Sequence, residues 1–246
     1  MATIIALIRS LLFMAIIALL TVVVCAIIFL CFWMPHHVVR NLVHLWTAPT
    51  NFLIRYLLGI SYELRGAENI VEPAVILCKH QSAWETIVLQ EIFPDVLFVW
   101  KKELKQLPFF GWALALTPMI SIDRGAGKDA LRQLHTQGAL RLSQNYSVAI
   151  FPEGTRVAPG HKRRYKIGGA SLAVSTGAPL LPIALNSGEV WGRNALLKRP
   201  GKVIVSIGPR IDTKGLTADQ TNGCAEQWIE DEMRRISPHL YANEAA

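Results

Sequence analysis

An uncharged run near the amino terminus limits what this chain can fold into more than any other feature. The 24 residues from Leu11 to Met34 carry no charge. A helix over this run is about 36 Å long, enough to cross a hydrocarbon core of about 30 Å. A cleaved signal peptide has an apolar region of about 7–15 residues and a small-residue cleavage site, which Phe32-Trp33-Met34-Pro35 is not. The run therefore predicts a membrane helix.

Pro35 ends this helix, because its ring removes a backbone donor and disfavours a helical residue before it. The next stretch, residues 36–60, is apolar but interrupted by polar residues. Helical spacing joins four of its apolar residues, Val39, Leu42, Val43 and Trp46. Such an amphipathic helix suits the membrane interface better than a span. Residues 1–60 therefore either cross the bilayer once or enter it and return as a hairpin.

Charge is distributed unevenly along the chain. The formal net charge is +7, made up of +3 in residues 1–60, +8 in 61–214 and −4 in 215–246. Charged residues make up only 17%, against about 25% in a typical soluble domain, and hydrophobic residues 52%. Such an apolar composition excludes a disordered chain.

The basic middle of the chain predicts an anionic partner. Its lysines include Lys101, Lys102 and Lys105, and a cluster follows at 162–166. The partner is a lipid head group, a phosphate-bearing molecule or an acidic protein. Nucleic acid is not favoured, because no basic helix or aromatic-basic stripe is present. By the positive-inside rule, the few basic residues before the apolar run favour a cytoplasmic location for this middle part of the chain.

The cysteines do not form a disulfide or zinc pattern. There are four of them, Cys25, Cys31, Cys78 and Cys224. No CxxC pair and no Cys/His set has metal-ligand spacing. We expect buried free thiols in a reducing compartment and no metal site.

After residue 60 the pattern changes to short β-rich runs separated by helical stretches. The predicted strands are Ser61–Arg65, Ala74–Cys78, Val96–Trp100, Met119–Ile122, Val148–Phe151, Leu180–Leu185 and Val203–Ile207. The predicted helices between them are Ser82–Phe93, Leu104–Leu116, Ala126–Gln144 and Gly168–Ser175. This alternation predicts an α/β domain built on one sheet.

We therefore divide the chain into a membrane anchor (1–60), an α/β body (61–214) and a tail (215–246). The tail contains apolar residues at helical spacing, among them Ala225, Ile229 and Met233. They predict an amphipathic helix that packs on the body with its acidic residues outward.

The first candidate site follows the predicted strand 74–78. His80 lies in the turn and Glu85 in the first turns of the next helix, with Ser82 as the expected N-cap. Five residues apart, His80 and Glu85 do not share a helix face, but a histidine in the preceding loop can fold back to reach the carboxylate. The carboxylate would fix the tautomer of the imidazole and leave its other nitrogen as a base. A purely structural loop histidine is the alternative.

The second candidate site is Phe151-Pro152-Glu153-Gly154-Thr155-Arg156, again after a strand. Gly154 allows close approach to the backbone, and Arg156 offers a planar fork for phosphate or carboxylate. The basic cluster at 162–166 is either a solvated face or a lipid contact.

Two further segments complete the set. Arg124 ends a short strand and is a candidate phosphate ligand, although Asp123 could simply neutralise it. Gly125-Ala126-Gly127-Lys128 is not a nucleotide phosphate loop, because Asp129 stands where a Ser or Thr is required. Pro182 lies in an apolar strand, which indicates a sheet edge or a strand with missing pairing.

Together these segments resemble the glycerolipid acyltransferase family, most closely its bacterial 1-acylglycerol-3-phosphate branch. The family's motifs are His-x4-Asp, an Arg after Ile-Asp, Phe-Pro-Glu-Gly-Thr-Arg and an apolar-Pro-apolar strand. They match His80…Glu85, Arg124, residues 151–156 and Leu181-Pro182-Ile183 in order. Glu85 replaces the usual Asp, which shifts the carboxylate by a methylene group.

The resemblance implies one mixed sheet flanked by helices and transfer of an acyl group to the sn-2 hydroxyl of lysophosphatidic acid. His80 is then the general base and Glu85 orients it. The implied substrate-binding residues are Arg124, Glu153, Gly154, Thr155, Arg156 and Pro182. The donor is acyl-CoA or acyl carrier protein thioester, with no further cofactor and no metal. The implied location is a bacterial inner membrane, with the catalytic domain facing the cytoplasm.

Two alternatives differ in function. The acceptor could be glycerol 3-phosphate or another lysolipid, or the chain could be a membrane-anchored lipid-binding protein without catalysis. Phe109, Phe110 and Trp112 either line an acyl tunnel or belong to the core, and we favour the core.

Overall fold

The computed structural model describes residues 1–242 and contains eight α-helices and seven strands within them. The helices are α1 (Ala2–Leu30), α2 (His36–Leu42), α3 (His44–Tyr56), α4 (Trp84–Ile92), α5 (Phe110–Leu116), α6 (Lys128–Ser143), α7 (Gly168–Thr176) and α8 (Ala218–Ile236). The strands are β1 (Ile60–Arg65), β2 (Val75–Cys78), β3 (Val96–Lys101), β4 (Ile120–Ile122), β5 (Ser147–Ile150), β6 (Leu180–Leu185) and β7 (Gly201–Ile207). All seven predicted strands are confirmed.

The strands form one mixed sheet in the order β1-β7-β6-β2-β5-β3-β4. Every neighbouring pair is parallel except β6 and β7, which are antiparallel. Successive residues of β2 point to opposite faces: Ile76 belongs to a core with α3 and α4, and Leu77 to a core with α6, α7 and α8. The mixed sheet flanked by helices is therefore confirmed. Its central strands β2 and β5 end side by side, so the loops that follow them meet at one edge.

Pro182 lies in an interior strand, so its placement at a sheet edge is wrong. β6 is paired on both sides, and Pro182 stands opposite Leu77 of β2. Its carbonyl accepts a hydrogen bond from the Gly208 amide at 2.9 Å. The regular pairing of β6 with β7 covers Ile183–Leu185, so Pro182, which has no N–H to donate, lies just outside it. Of the two alternatives, missing pairing therefore describes this end of the strand.

The apolar head folds as a helical hairpin. The turn at Pro35 sends α2 and α3 back along α1, and the Trp46 indole donates to the Thr21 hydroxyl at 2.9 Å. α1 is long and apolar enough to cross a membrane by length and composition. One stripe along almost its whole length is nevertheless buried: Ala6, Ser10, Phe13, Val24, Cys25 and Ile28.

The body covers both ends of that stripe. The Lys198 amide donates to the Ser10 hydroxyl at 2.9 Å, and Phe13 meets Trp191 edge to face at 5.5 Å. Farther along α1, Val24 and Ile28 pack with Ala113 of α5. Most of the other residues of α1 are apolar, and many of them are exposed.

The tail contains the predicted helix, α8, which begins with a capping box between Thr217 and Gln220. Its apolar stripe packs on α7 and the sheet. The prediction that its acidic residues face outward is wrong for Glu230 and Glu232, which are buried. Residues 243–246 of the tail lie outside the described part, and the division into 1–60, 61–214 and 215–246 stays a prediction.

Two local predictions about burial are also wrong. Phe109, Phe110 and Trp112 are exposed and do not belong to the core. All four cysteines are free, as predicted, but Cys224 is exposed and only Cys25 and Cys78 are buried.

Candidate active site

The loop after β2 brings His80 and Glu85 together. His80 Nδ1 lies 3.6 Å from Glu85 Oε2, just beyond hydrogen-bond distance. The Glu85 side chain is completely buried and that of His80 is 13% exposed. The histidine therefore folds back onto the carboxylate, with its other ring nitrogen left for the surface.

Glu85 is held by donors from two loops. Its Oε1 accepts hydrogen bonds from the amides of Gln81 (2.9 Å) and Ser82 (2.8 Å) and from the Ser187 hydroxyl (2.6 Å). The residue thus acts like the acidic partner of a capping box at the start of α4. α4 begins at Trp84 with Ala83 as its cap residue, and the Ser82 hydroxyl accepts from the Trp84 amide at 3.1 Å. The N-cap predicted at Ser82 is therefore one residue too early, although the Ser82 hydroxyl still accepts a hydrogen bond from the first turn of α4.

The loop after β5 supports His80 from the other side. The Phe151 ring stacks on the imidazole with centroids 3.9 Å apart and planes 16° apart. The Val157 amide donates to the His80 carbonyl at 2.8 Å. Side chain and backbone of His80 are both held, so its orientation is largely set before any ligand binds.

His80 opens onto a cavity of about 240 Å³ that is rich in cationic groups. Its lining includes Arg124, Arg156 and Arg193, with Gly154 and Thr155 between them. Arg124 donates to the Gly154 carbonyl at 2.8 Å, and burial lowers the pKa of Arg124. Five of the residues predicted from the sequence therefore line the same cavity: His80, Arg124, Gly154, Thr155 and Arg156.

Gly154 adopts φ 70°, a conformation that favours glycine. A Cβ there would lie 2.9 Å from the Lys166 side chain. The glycine thus permits both the turn and the close approach of the Lys166 side chain.

Glu153 and Pro182 do not line this cavity. Glu153 is fully buried, with Oε1 3.4 Å from Lys79 Nζ and 3.4 Å from the His80 amide. Lys79 also pairs with Glu230 of α8 at 2.7 Å, and the Tyr165 hydroxyl donates to the same carboxylate at 2.9 Å. Burial raises the pKa of Glu153 to about 7, against the opposing effect of Lys79. Pro182 is buried inside the sheet.

Sequence reasoning missed Arg193 and Asn194. They lie in the loop after the fourth motif, where Arg193 donates to the Arg156 carbonyl at 3.5 Å. No local signal marked them, because Gly192-Arg193 comes well after the end of β6 and meets Arg156 only in the folded chain.

A second cavity, of about 380 Å³, adjoins the first. It shares Arg124, Phe151 and Gly154 with the first cavity and extends between Leu131, Leu134 and other apolar side chains of α6 and the sheet. In residues 1–242, no three His, Cys, Asp or Glu side chains are grouped in a way that could hold a metal ion.

Known proteins resemble this chain in sequence and in fold. A 1-acyl-sn-glycerol-3-phosphate acyltransferase of Pseudomonas aeruginosa is 45% identical over 203 residues, which cover 81% of this chain and 79% of that protein. The alpha form of the enzyme from Mus musculus is 32% identical over 70% of this chain, which spans 62% of that relative's length. The crystal structure of the 1-acyl-sn-glycerophosphate acyltransferase of Thermotoga maritima has the same fold, with a TM-score of 0.79, 21% identity and coverage of 96% of this chain and 98% of that one.

The sequence model described as acyltransferase matches residues 61–186, which contain all four motifs. With that match and the 45% identity to the Pseudomonas aeruginosa enzyme, the chain belongs to the acyltransferase family.

Proposed function

We propose that this acyltransferase moves an acyl group from a thioester to the sn-2 hydroxyl of 1-acylglycerol 3-phosphate, which yields phosphatidic acid. The observation that carries the proposal is the cavity in which His80 faces three arginines. The names of the relatives support the same acceptor. A binding protein without catalysis would not need a histidine placed beside a fully buried carboxylate.

The cavity suits the glycerol phosphate head of the acceptor. Guanidinium groups bind phosphate through paired, charge-assisted hydrogen bonds, and Arg124, Arg156 and Arg193 are available for a dianion. About 240 Å³ holds a glycerol phosphate but not its acyl chain. The adjoining apolar cavity, between Leu131 and Leu134, is suited to a hydrocarbon chain.

His80 is the general base in this proposal. With Nδ1 turned toward Glu85, the imidazole has Nε2 left to take the proton of the sn-2 hydroxyl as that oxygen attacks the thioester carbonyl. The new O–C bond forms, the C–S bond breaks, and His80 returns the proton to the departing thiolate. Glu85 keeps the tautomer that this step requires.

The donor in this proposal is acyl-CoA or the thioester of an acyl carrier protein. Either is anionic and would meet the basic segment 162–166, where Lys162 already pairs with Glu226 at 3.1 Å. The membrane holds the acceptor, and the exposed apolar faces of α1 attach the body to it from the cytoplasmic side.

The test uses the full chain reconstituted in vesicles with radiolabelled acyl-CoA. Lysophosphatidic acid should be acylated in preference to glycerol 3-phosphate and to lysolipids with other head groups. His80→Ala should lower kcat by about 10²-fold or more. His161→Ala, which changes an exposed histidine outside the cavity, is the control. Full activity in a folded His80→Ala protein would contradict the mechanism, and a preference for another acceptor would contradict the substrate.

A further inference from the structure

The segment that runs from the end of β3 into α5 presents apolar side chains to the outside. Leu107, Phe109, Phe110 and Trp112 are all exposed, Phe109 by 66%. Lys102 and Lys105 are exposed in the same segment. We call these six residues the aromatic-basic patch. A contiguous exposed apolar patch bordered by charge is typical of an interaction surface.

The patch is held in place and is not a loose loop. The Gly111 amide donates to the Leu107 carbonyl at 2.8 Å, and the Ala113 amide to the Phe109 carbonyl at 2.9 Å. Phe109 adopts φ 61°, a strained conformation for a side-chain-bearing residue. Such strain persists where the surrounding structure holds it, and it often marks functional segments.

The position of the patch suggests what covers it. α5 packs through Ala113 onto Val24 and Ile28 of α1, so the patch continues the apolar face of the hairpin. The patch follows the carboxyl end of β3, the edge of the sheet where the His80 cavity opens. Glu103, within this segment, acts electrostatically on Arg124 of the cavity wall.

The chemistry of the patch suits one partner. Phenylalanine and tryptophan rings favour the head-group level of a bilayer, where lysines meet anionic lipid. We propose that the aromatic-basic patch is a second membrane contact that holds the mouth of the cavity against an anionic bilayer. The proposal rests on the proposed function for its substrate, since a lipid acceptor would then pass from the bilayer into the cavity without entering water.

The first test does not depend on catalysis. Trp112→Phe is compared with the unchanged chain in vesicles of phosphatidylcholine and phosphatidylglycerol that carry brominated acyl chains. Trp33 of the hairpin is exposed and should be quenched in both proteins, but the unchanged chain should show a larger quenched fraction than the Trp112→Phe protein. Trp228→Phe, which changes a half-buried indole on α8, should remove no quenched component. Identical quenching in the unchanged and Trp112→Phe proteins would overturn the proposal.

The second test separates docking from chemistry. Phe109→Ser, Phe110→Ser and Trp112→Ser are combined and assayed with acyl-CoA on two acceptors. Activity on vesicle-bound lysophosphatidic acid should fall about tenfold or more, because less apolar area inserts. Activity on a short-chain lysophosphatidic acid that stays monomeric in water should change less than about twofold. Leu140→Ser, on an exposed leucine of α6 away from the hairpin, is the control.

A third variant tests the charge, and the outcomes separate the two proposals. Lys102→Gln with Lys105→Gln should weaken the dependence of vesicle activity on the phosphatidylglycerol fraction.

Unchanged activity of the triple serine variant on vesicle-bound lysophosphatidic acid would overturn this proposal. So would a defect seen only with acyl carrier protein as donor, which would identify a protein partner. If the unchanged chain acylates no lysophosphatidic acid, the proposed function fails, while the quenching result still decides whether the patch inserts.

Discussion

Glu85 and Glu153 are both fully buried next to His80, but they have different partners. Glu85 accepts hydrogen bonds from two amides and a hydroxyl, and within residues 1–242 no cation other than His80 itself lies within salt-bridge distance of it. Glu153 faces Lys79 and the His80 amide. The first carboxylate can therefore act on the imidazole, whereas the second acts on the backbone that carries it.

Replacement of Glu85 by Gln tests the role of the carboxylate. The amide has the same size, and its oxygen can still accept from the Gln81 and Ser82 amides and from Ser187, which places its NH2 group toward His80 Nδ1. A neutral amide there cannot stabilise a protonated His80. We expect kcat to fall by about 10²-fold or more, with a smaller loss for Glu85→Asp, which keeps the charge. Steady-state kinetics on both variants measures this effect, with the melting temperature as a check on folding. A Gln variant with unchanged kcat would show that Glu85 only caps α4.

Arg193 provides a second prediction at a single residue. A charge-assisted hydrogen bond contributes about 1.5–3 kcal/mol, so Arg193→Ala should raise the KM for lysophosphatidic acid about tenfold or more. kcat should change little, because in the proposed function Arg193 contacts the phosphate and not the reacting oxygen. Arg199→Ala, on an exposed residue of the same loop outside the cavity, is the control. Equal KM values for the two variants would remove Arg193 from the acceptor site.

At the level of elements, the sequence predicted what depends on local pattern. All seven strands were predictable, because each is a short, apolar, β-rich run bounded by turn residues. The proximity of His80 and Glu85 was also predictable, since a strand end and a helix start fix both residues.

The failures concern contacts between distant parts of the chain. The order of strands in a sheet cannot be deduced from the sequence of a single strand, so the sheet-edge alternative for Pro182 stayed open although β6 lies inside the sheet. Glu230 was expected outside because no local signal announces Lys79, which lies 151 residues away. Arg193 was missed for the same reason, because its loop reaches Arg156 only in the folded chain.

The buried link between α8 and the loop after β2 leads to a prediction for stability. Lys79 is completely buried and contacts both Glu230 and Glu153, so Lys79→Met leaves two buried carboxylates without their cation. Breaking a buried pair in this way costs about 3–5 kcal/mol. The melting temperature in detergent should fall by roughly 10 °C for a chain of this size. Lys202→Met, which breaks an exposed pair with Glu63 at 3.5 Å, should leave the melting temperature almost unchanged. Equal shifts for the two variants would show that the buried link does not stabilise α8.

In the whole molecule, the α/β body contacts α1 near both ends of that helix, and these contacts limit how α1 can lie in a membrane. Ser10 bonds to Lys198, and Val24 and Ile28 pack on Ala113. These contacts are about 20–30 Å apart along the helix at about 1.5 Å per residue, close to the thickness of a hydrocarbon core. A spanning α1 would therefore force polar loops of the body into hydrocarbon, which is strongly unfavourable. An α1 that lies in one leaflet keeps these contacts and buries its exposed apolar faces.

This arrangement predicts that the amino terminus and α8 lie on the same side of the membrane. The test uses single-cysteine proteins in a background in which the other cysteines are serine: one keeps the exposed Cys224, and the other carries Thr3→Cys. A membrane-impermeant maleimide should label neither protein in intact bacterial cells and both in inverted membrane vesicles. Labelling of the residue 3 cysteine in intact cells, with Cys224 still protected, would mean that α1 crosses the bilayer. In that case its contacts with Lys198 and Ala113 could not both exist in the membrane. With both sites on one side, α1 holds the loop of Trp191 and Arg193 through Phe13, so the cavity lies beside the lipid surface from which its acceptor comes.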